Sequence, residues 1–419
     1  MIPQNDSPVE MTDSSRAQVV RHHTALLAIA QASIWLTAGV FVAAGPIAAA
    51  RLTGHASLSG LMFALWALAF ATGAQVTGLA MDRFGRRPGL AAAHGLLCLG
   101  SLAAAFSVLS GSAAGLLGAS VIGGFGMGSA LLSRGAVADM YPPQRRGVAV
   151  GYLLAAGTVG AIGGPQLVNL ARALTPSSAL QDAFARSWFV VAATSLVAFA
   201  CMLLLRPDPR DMAPRPIGSA VRRPLASLLK LAPIRAAVLA MAAGQTAMYS
   251  IMGISAVAYT RRGVEVAAIA VVLSSHFAGM FAFSPVWGAF LDRRGRKRAL
   301  VTAGTLLFVG AGITGIASHP ILSGLGLFLV GLGWSGLYLG VTAVISDFTS
   351  ASERGAALGF TDFASASISS IGALIAGILL DGPGFGAVGI VMMAVLLPTI
   401  AAVGLVGGSR WRPVALKPA

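Results

Sequence analysis

Gly78-Leu-Ala-Met-Asp82-Arg83-Phe-Gly85-Arg86-Arg87 returns 210 residues later as Gly288-Ala-Phe-Leu-Asp292-Arg293-Arg-Gly295-Arg296-Lys297. A second pair keeps nearly the same spacing: Asp139 ahead of Arg146-Gly147 recurs as Asp347 ahead of Arg354-Gly355, offset by 208. Two fixed motifs at one offset mark a chain built from two similar halves. Each copy of the first motif is a short basic loop between two long apolar runs. The fold therefore turns on what those runs are.

Composition settles their environment. Of 419 residues, 56% are apolar and 10% charged, with 52 glycines and a mean hydropathy of +0.80. Soluble domains carry about 25% charged residues, so a water-soluble enzyme is excluded. At roughly 20–25 residues per membrane-spanning helix, twelve spans take roughly 240–300 residues. The rest suffices only for short loops and tails. Apolar runs bounded by charge, Pro or Gly predict spans near 24–50, 57–81, 88–109, 112–137, 148–172 and 186–205. A second set is predicted near 233–258, 265–290, 299–317, 320–345, 356–380 and 385–407. The expectation is an all-α membrane protein of two six-helix repeats. Its parts would be a tail (1–23), a first bundle (24–205), a basic linker (206–232), a second bundle (233–407) and a closing tail (408–419).

The net charge of +15 would suggest nucleic acid in a soluble chain, yet the 29 Lys and Arg sit in clusters between apolar runs. Alternating the loops puts Arg51, Arg172, Arg186, Arg261 and Arg262 on one side and the other 24 on the side of both tails. The positive-inside bias makes the tails cytoplasmic, with lipid as a partner and no nucleic acid. The linker, with Arg206, Arg210, Arg215, Arg222, Arg223 and Lys230, reads as a basic segment against anionic lipid. Cys98 and Cys201 both fall within apolar runs and give no disulfide framework.

The loop motif, a glycine, then Asp-Arg, then Gly and a basic pair, resembles the signature of the major facilitator superfamily. Both copies match, and the resemblance covers nearly the whole chain. It implies a carrier that works by alternating access, with Gly78, Asp82, Arg83, Gly85 and Arg86, and their counterparts Gly288, Asp292, Arg293, Gly295 and Arg296, acting in the conformational switch. The physics is compatible, since an aspartate at a helix end between arginines can hold one terminus against its neighbour and release it. Gly151, Gly160, Gly164 and Pro165 have part of the spacing of that family's antiporter motif, which close helix packing explains equally well. Drug exporters of the family carry an arginine where this chain has Ser120.

Groups able to bind a solute inside hydrocarbon are candidates for function. Met248 and Met252 stand four apart in the seventh predicted span, His276 and Met280 four apart in the eighth. Residues at that spacing share a helical face. Three thioethers and one imidazole form a soft set that favours Cu(I). From the predicted outer ends, at about 1.5 Å per residue, Met252 lies roughly 9 Å deep, Met248 and His276 roughly 15–17 Å, and Met280 roughly 23 Å. That is a ladder of successive sites. The arrangement looks like the CcoA-type bacterial copper importer, and the resemblance implies that these four residues carry copper as substrate, destined for cbb3-type cytochrome oxidase. Near relatives linked to riboflavin uptake, and proton-coupled exporters of drug-like compounds, are the alternatives. Gln31, Gln75, Gln245, Tyr249 and Trp334 would line a cavity for an organic solute. Asp362 is the acid placed well inside a span and is the candidate for proton coupling. His94 reads as structural. No catalytic constellation and no resident cofactor are expected, and the carrier is expected to work as a monomer.

Overall fold

In hydrocarbon the backbone has no partner but itself, so each apolar run must close its own hydrogen bonds as a helix. The computed structural model describes residues 13–142, 145–175, 180–212, 223–317 and 319–411. Residues 213–222, and with them Arg215 and Arg222, lie outside the described residues, as do 1–12 and 412–419. Twelve helices among the described residues are long and apolar enough to cross a bilayer: α1 (Ser14–Thr53), α2 (Ser57–Phe84), α3 (Arg86–Leu109), α4 (Ala113–Met140), α5 (Ala149–Ala173), α6 (Leu180–Leu203), α7 (Ala232–Arg261), α8 (Val266–Arg294), α9 (Arg296–Ile316), α10 (Pro320–Phe348), α11 (Glu353–Asp381) and α12 (Phe385–Leu405). There is no strand among the described residues.

The duplication read in the sequence is the duplication of the packing. In the first bundle α1 lies on α5 and α6, α2 on α4, and α3 on α4 and α6. In the second, α7 lies on α11 and α12, α8 on α10, and α9 on α10 and α12. The bundles meet chiefly where α2 packs on α11 and α5 on α8, with α1 and α7 also in contact.

Helix ends differ from expectation where polarity hides them. The helix of α1 starts at Asp13 and not near 24. Its first turns, with Ser14, Ser15, Arg16, Gln18, Arg21 and His22, carry no hydropathic signal. They are tied down by the linker instead: Arg16 donates to the Met212 carbonyl at 3.0 Å, and His23 Nε2 lies 2.9 Å from the Pro207 carbonyl. The helix of α8 is interrupted at Ala282–Phe283, just before Ser284-Pro285, where proline removes a backbone donor.

The linker's described residues hold helix ends. Asp208 accepts from the backbone N–H groups of Arg86 and Arg87 at 3.0 and 2.9 Å, placing a negative charge on the orphan donors of α3. Arg210 donates to the carbonyls of Asp82 and Arg83. Arg223 donates to both oxygens of Glu353, which also closes the capping box with Ser350 at the start of α11. These side chains bind protein where the sequence suggested lipid.

The side of the molecule away from the termini is sealed. Asp381, at the end of α11, accepts from the N–H groups of Ala56 and Ser57 at the start of α2, at 2.8 and 2.7 Å, and pairs with Arg261 of α7 at 2.7 Å. Just inside, a Cβ added at Gly60 would stand 2.6 Å from the Ala373 carbonyl and 2.8 Å from Gly377 Cα, so the two backbones touch only because both residues are glycine. On the matching seam, Gln166 donates to Ser274 at 3.1 Å and Ser274 to the Ile162 carbonyl at 3.2 Å.

Candidate functional site

On the terminal side of that seal lies a cavity of about 1520 Å³, including its open part, lined by both bundles. The first bundle supplies flat side chains. Phe41 stacks on Trp66 with ring centroids 5.3 Å apart, and Trp66 is followed one turn later by Phe70. The second supplies Tyr249, whose ring meets Phe63 edge-on at 5.3 Å and Trp66 at 5.8 Å across the interface. It also supplies the stacked pair Trp334–Tyr338, with centroids 5.1 Å apart and planes 16° apart. Trp334 Nε1 donates to Gln245 Oε1 at 2.6 Å, which fixes the indole against the wall. Gln31, Gln245, Tyr249 and Trp334 therefore line the cavity as expected of an organic site. Gln75 does not: it is half turned to solvent and donates to the Gly359 carbonyl at 3.4 Å.

Met248, Met252, His276 and Met280 also line this cavity, each with at most 5% of its surface exposed. His276 Nδ1 lies 2.9 Å from the Leu327 carbonyl, which can only accept, so Nδ1 carries the hydrogen and Nε2 presents a lone pair. Nε2 is buried and without a partner among the described residues. Because α7 extends to Arg261, the depths shift from those expected. Measured at about 1.5 Å per residue from Arg261 and Val266, Met252 and His276 lie about 14–15 Å in, and Met248 and Met280 about 20–21 Å. The ladder becomes two rungs.

Asp362 lines the cavity, and its partner is a residue the sequence reading passed over. Arg134 of α4 lies 3.3 Å from Asp362 Oδ2 and also donates to the Tyr338 hydroxyl. The available signal was a lone cation three residues inside the end of the predicted fourth span. His94 is wholly buried in α3, away from the cavity lining, and Ser120 donates to the Leu116 carbonyl at 2.8 Å. Gly160 and Gly164 lie against the α1 backbone at Ala32 and Gly39, as close helix packing requires.

The two loop motifs repeat in three dimensions. Arg86 bridges Asp82 at 3.0 Å and Asp139 at 2.9 Å; Arg296 bridges Asp292 at 3.5 Å and Asp347 at 2.9 Å. Gly85 and Gly295 turn the chain with φ of 102° and 81°, a region that disfavours every residue with a Cβ. Asp82 and Asp292 are largely exposed. Arg83 lies over the Phe84 ring; a Cβ added at Gly78 would meet only Leu132 Cδ1, at 3.9 Å, and one at Gly288 nothing within 4 Å.

A family model of the Major Facilitator Superfamily matches residues 27–264 and 237–418. The uncharacterized MFS-type transporter YdeG of Bacillus subtilis (strain 168) is 29% identical over 378 residues, covering 87% of each chain. The riboflavin transporter RfnT of Brucella anthropi is 27% identical over 385 residues, covering 90% of this chain and 92% of its own. Among solved structures, the nucleoside transporter NupG superposes with a TM-score of 0.69 at 13% identity, over 91% of this chain and 98% of its own. The human organic anion transporter MFSD10 does so with a TM-score of 0.64 at 18% identity, over 92% and 99%. At such identities the structural likeness speaks for the fold.

Proposed function

The chain belongs to the major facilitator superfamily, and from that premise we propose that this secondary transporter imports a flat heteroaromatic solute of the flavin kind across a bacterial cytoplasmic membrane, its terminal side facing the cytoplasm. The observation that carries this reading is the cavity's wall. The cavity is lined by side chains of both bundles over far more surface than the few ligands a bare ion needs. Its walls carry aromatic faces from both bundles, with Gln31 and Gln245 as amide donors and acceptors. Aromatic walls grip a planar ring by offset stacking, and a few placed amides fix its edge. Similarity to RfnT across nine-tenths of this chain supports the same solute class. The excess of basic residues on the side of the tails supports the orientation.

One observation favours a second reading. Three methionines and His276 line the same cavity, which is the soft set that Cu(I) prefers, and the buried Nε2 of His276 has no hydrogen-bond partner among the described residues. In that reading the cargo is copper, supplied to oxidase assembly, and an inward monovalent cation gains about 2.3 kcal/mol per 100 mV of membrane potential.

One experiment separates them. Cells lacking the protein are complemented with the wild-type chain, and riboflavin uptake and copper content are measured in the same cultures. The flavin reading expects uptake of riboflavin that Trp334→Ala abolishes and that Met248→Leu, Met252→Leu and Met280→Leu leave intact. Copper accumulation lost in the methionine variants and in His276→Ala, with no riboflavin uptake, overturns it in favour of copper.

A further inference from the structure

Among the described residues, the cavity is lined by one cation, Arg134, and one carboxylate, Asp362. They come from different bundles, α4 and α11, and lie 3.3 Å apart, with side chains 42% and 39% exposed to the cavity. Arg134 also donates to the hydroxyl of Tyr338 on α10. Tyr338 stacks on Trp334, whose indole is held by Gln245. The pair thus stands at the foot of the aromatic wall, on an assembly of cavity residues. The other ionisable groups that line the cavity are Tyr249 and His276. From α2, which packs on α11, Gln75 approaches at Gly359 and carries no charge.

A guanidinium keeps its proton under all ordinary conditions and has five donors to satisfy. In a low-dielectric cavity it must hold an acceptor at every stage of the cycle. Here its acceptors are the Tyr338 hydroxyl and, through a single contact, Asp362, and its side chain stays 42% exposed and so open to a further acceptor. We propose that Arg134 is the anchor for an anionic or carbonyl-rich edge of the solute, and that Asp362 is its built-in competitor, displaced when it takes up a proton. An ionised carboxylate left without its partner in such a place is costly, and a proton removes that cost. One proton is then taken up as the solute's acceptor edge replaces Asp362 on Arg134. On release the carboxylate gives up the proton to the same side and pairs with Arg134 again. Because the pair also ties α4 to α11, the exchange loosens a link between the bundles at the moment the solute is bound.

The inference takes its probe, riboflavin, from the organic-solute reading above, so the test includes an arm free of solute. Riboflavin binding to the full chain in lipid nanodiscs is measured from about pH 5.5 to pH 8.5. Wild-type affinity is expected to rise as pH falls, and Asp362→Asn to bind tightly with a flat profile. Arg134→Gln is expected to weaken binding about tenfold, on the order of one charge-assisted hydrogen bond, with partial recovery in Arg134→Lys. In the second arm, spin labels at Phe84→Cys and Arg294→Cys, in a chain carrying Cys98→Ser and Cys201→Ser, report the distance between the bundles without solute. The distance is expected to shift with pH in the otherwise wild-type chain and to stay at its low-pH value in Asp362→Asn. A pH response that survives Asp362→Asn in either arm overturns the inference. Failure of riboflavin to bind, with the pH-dependent distance intact and lost in Asp362→Asn, removes the flavin reading and leaves the exchange standing.

Discussion

The two bundles repeat each other in helix packing and in loop motif, yet their walls around the cavity are made of different chemistry. At the offset of 210 that aligns the loop motifs, His276 and Met280 of α8 correspond to Trp66 and Phe70 of α2, and all four line the cavity. One scaffold position therefore holds a lone-pair donor and a thioether in one half and two flat rings in the other. The duplication repeats the helix packing and the loop ion pairs and lets the contents of the cavity diverge. Cargo has to be read from the differences between the halves, and the mechanism of rocking from their likeness.

The sharpest way to break this comparison is to truncate both members of one scaffold position. Trp66→Ala removes a ring stacked on Phe41, and riboflavin uptake is expected to fall by about tenfold or more, in keeping with about 1–3 kcal/mol for losing one aromatic face stacked on a heteroaromatic ring. His276→Ala, at the matching position, is expected to leave that uptake within about twofold, since one unpartnered nitrogen contributes little to a planar ring. Equal losses in the two variants would erase the functional asymmetry. A second test concerns the seal. Asp381→Ala removes the acceptor for two backbone donors of α2 and the partner of Arg261. The equilibrium between the bundles' arrangements is expected to move by about tenfold towards opening on that side, as about 1.4 kcal/mol would give. Labels across the Ala56 and Asp381 ends, followed by distance spectroscopy, read this shift.

Smaller effects sharpen the likeness. Arg86 holds Asp82 at 3.0 Å, where Arg296 holds Asp292 at 3.5 Å. Transport turnover is therefore expected to drop more in Arg86→Ala than in Arg296→Ala, by a few-fold, as suits exposed pairs of about 0.2–1 kcal/mol. Smallest of all, Cys98→Ser with Cys201→Ser is expected to leave turnover unchanged, because the two thiols are unbonded and line no part of the cavity.

Much of the architecture was legible because the bilayer simplifies the code. A helix that must satisfy its own backbone announces itself as an apolar run, and the twin loops gave the twofold plan directly. Polar helix turns such as residues 13–23 escaped, since nothing apolar marks them. Within the cavity, Met248, Met252, His276 and Met280 were found because a spacing of four places groups on one face, and Asp362 because an acid in a span is rare. Arg134 was missed although it obeys the same rule. It was counted among the basic residues of the tail side, which hid a cation lying inside a helix. Trp66 and Phe70 carry no signal of their own, as aromatic residues in a span are ordinary core until a partner bundle is laid against them. The contacts of Asp208 and Asp381 with distant helix starts are tertiary, and no local pattern encodes them.

The anchoring of the linker has a further consequence. Asp208 is fastened to the first bundle and Arg223 to the second, fifteen positions apart. A stretch of that length reaches to roughly 50 Å when fully drawn out, so the covalent connection by itself does not fix how the bundles pack. Cutting the polypeptide between those two anchors would thus yield a pair of fragments, each retaining its own helix caps, whose reunion in the bilayer depends on the packing of α2 with α11 and α5 with α8 and not on covalent continuity.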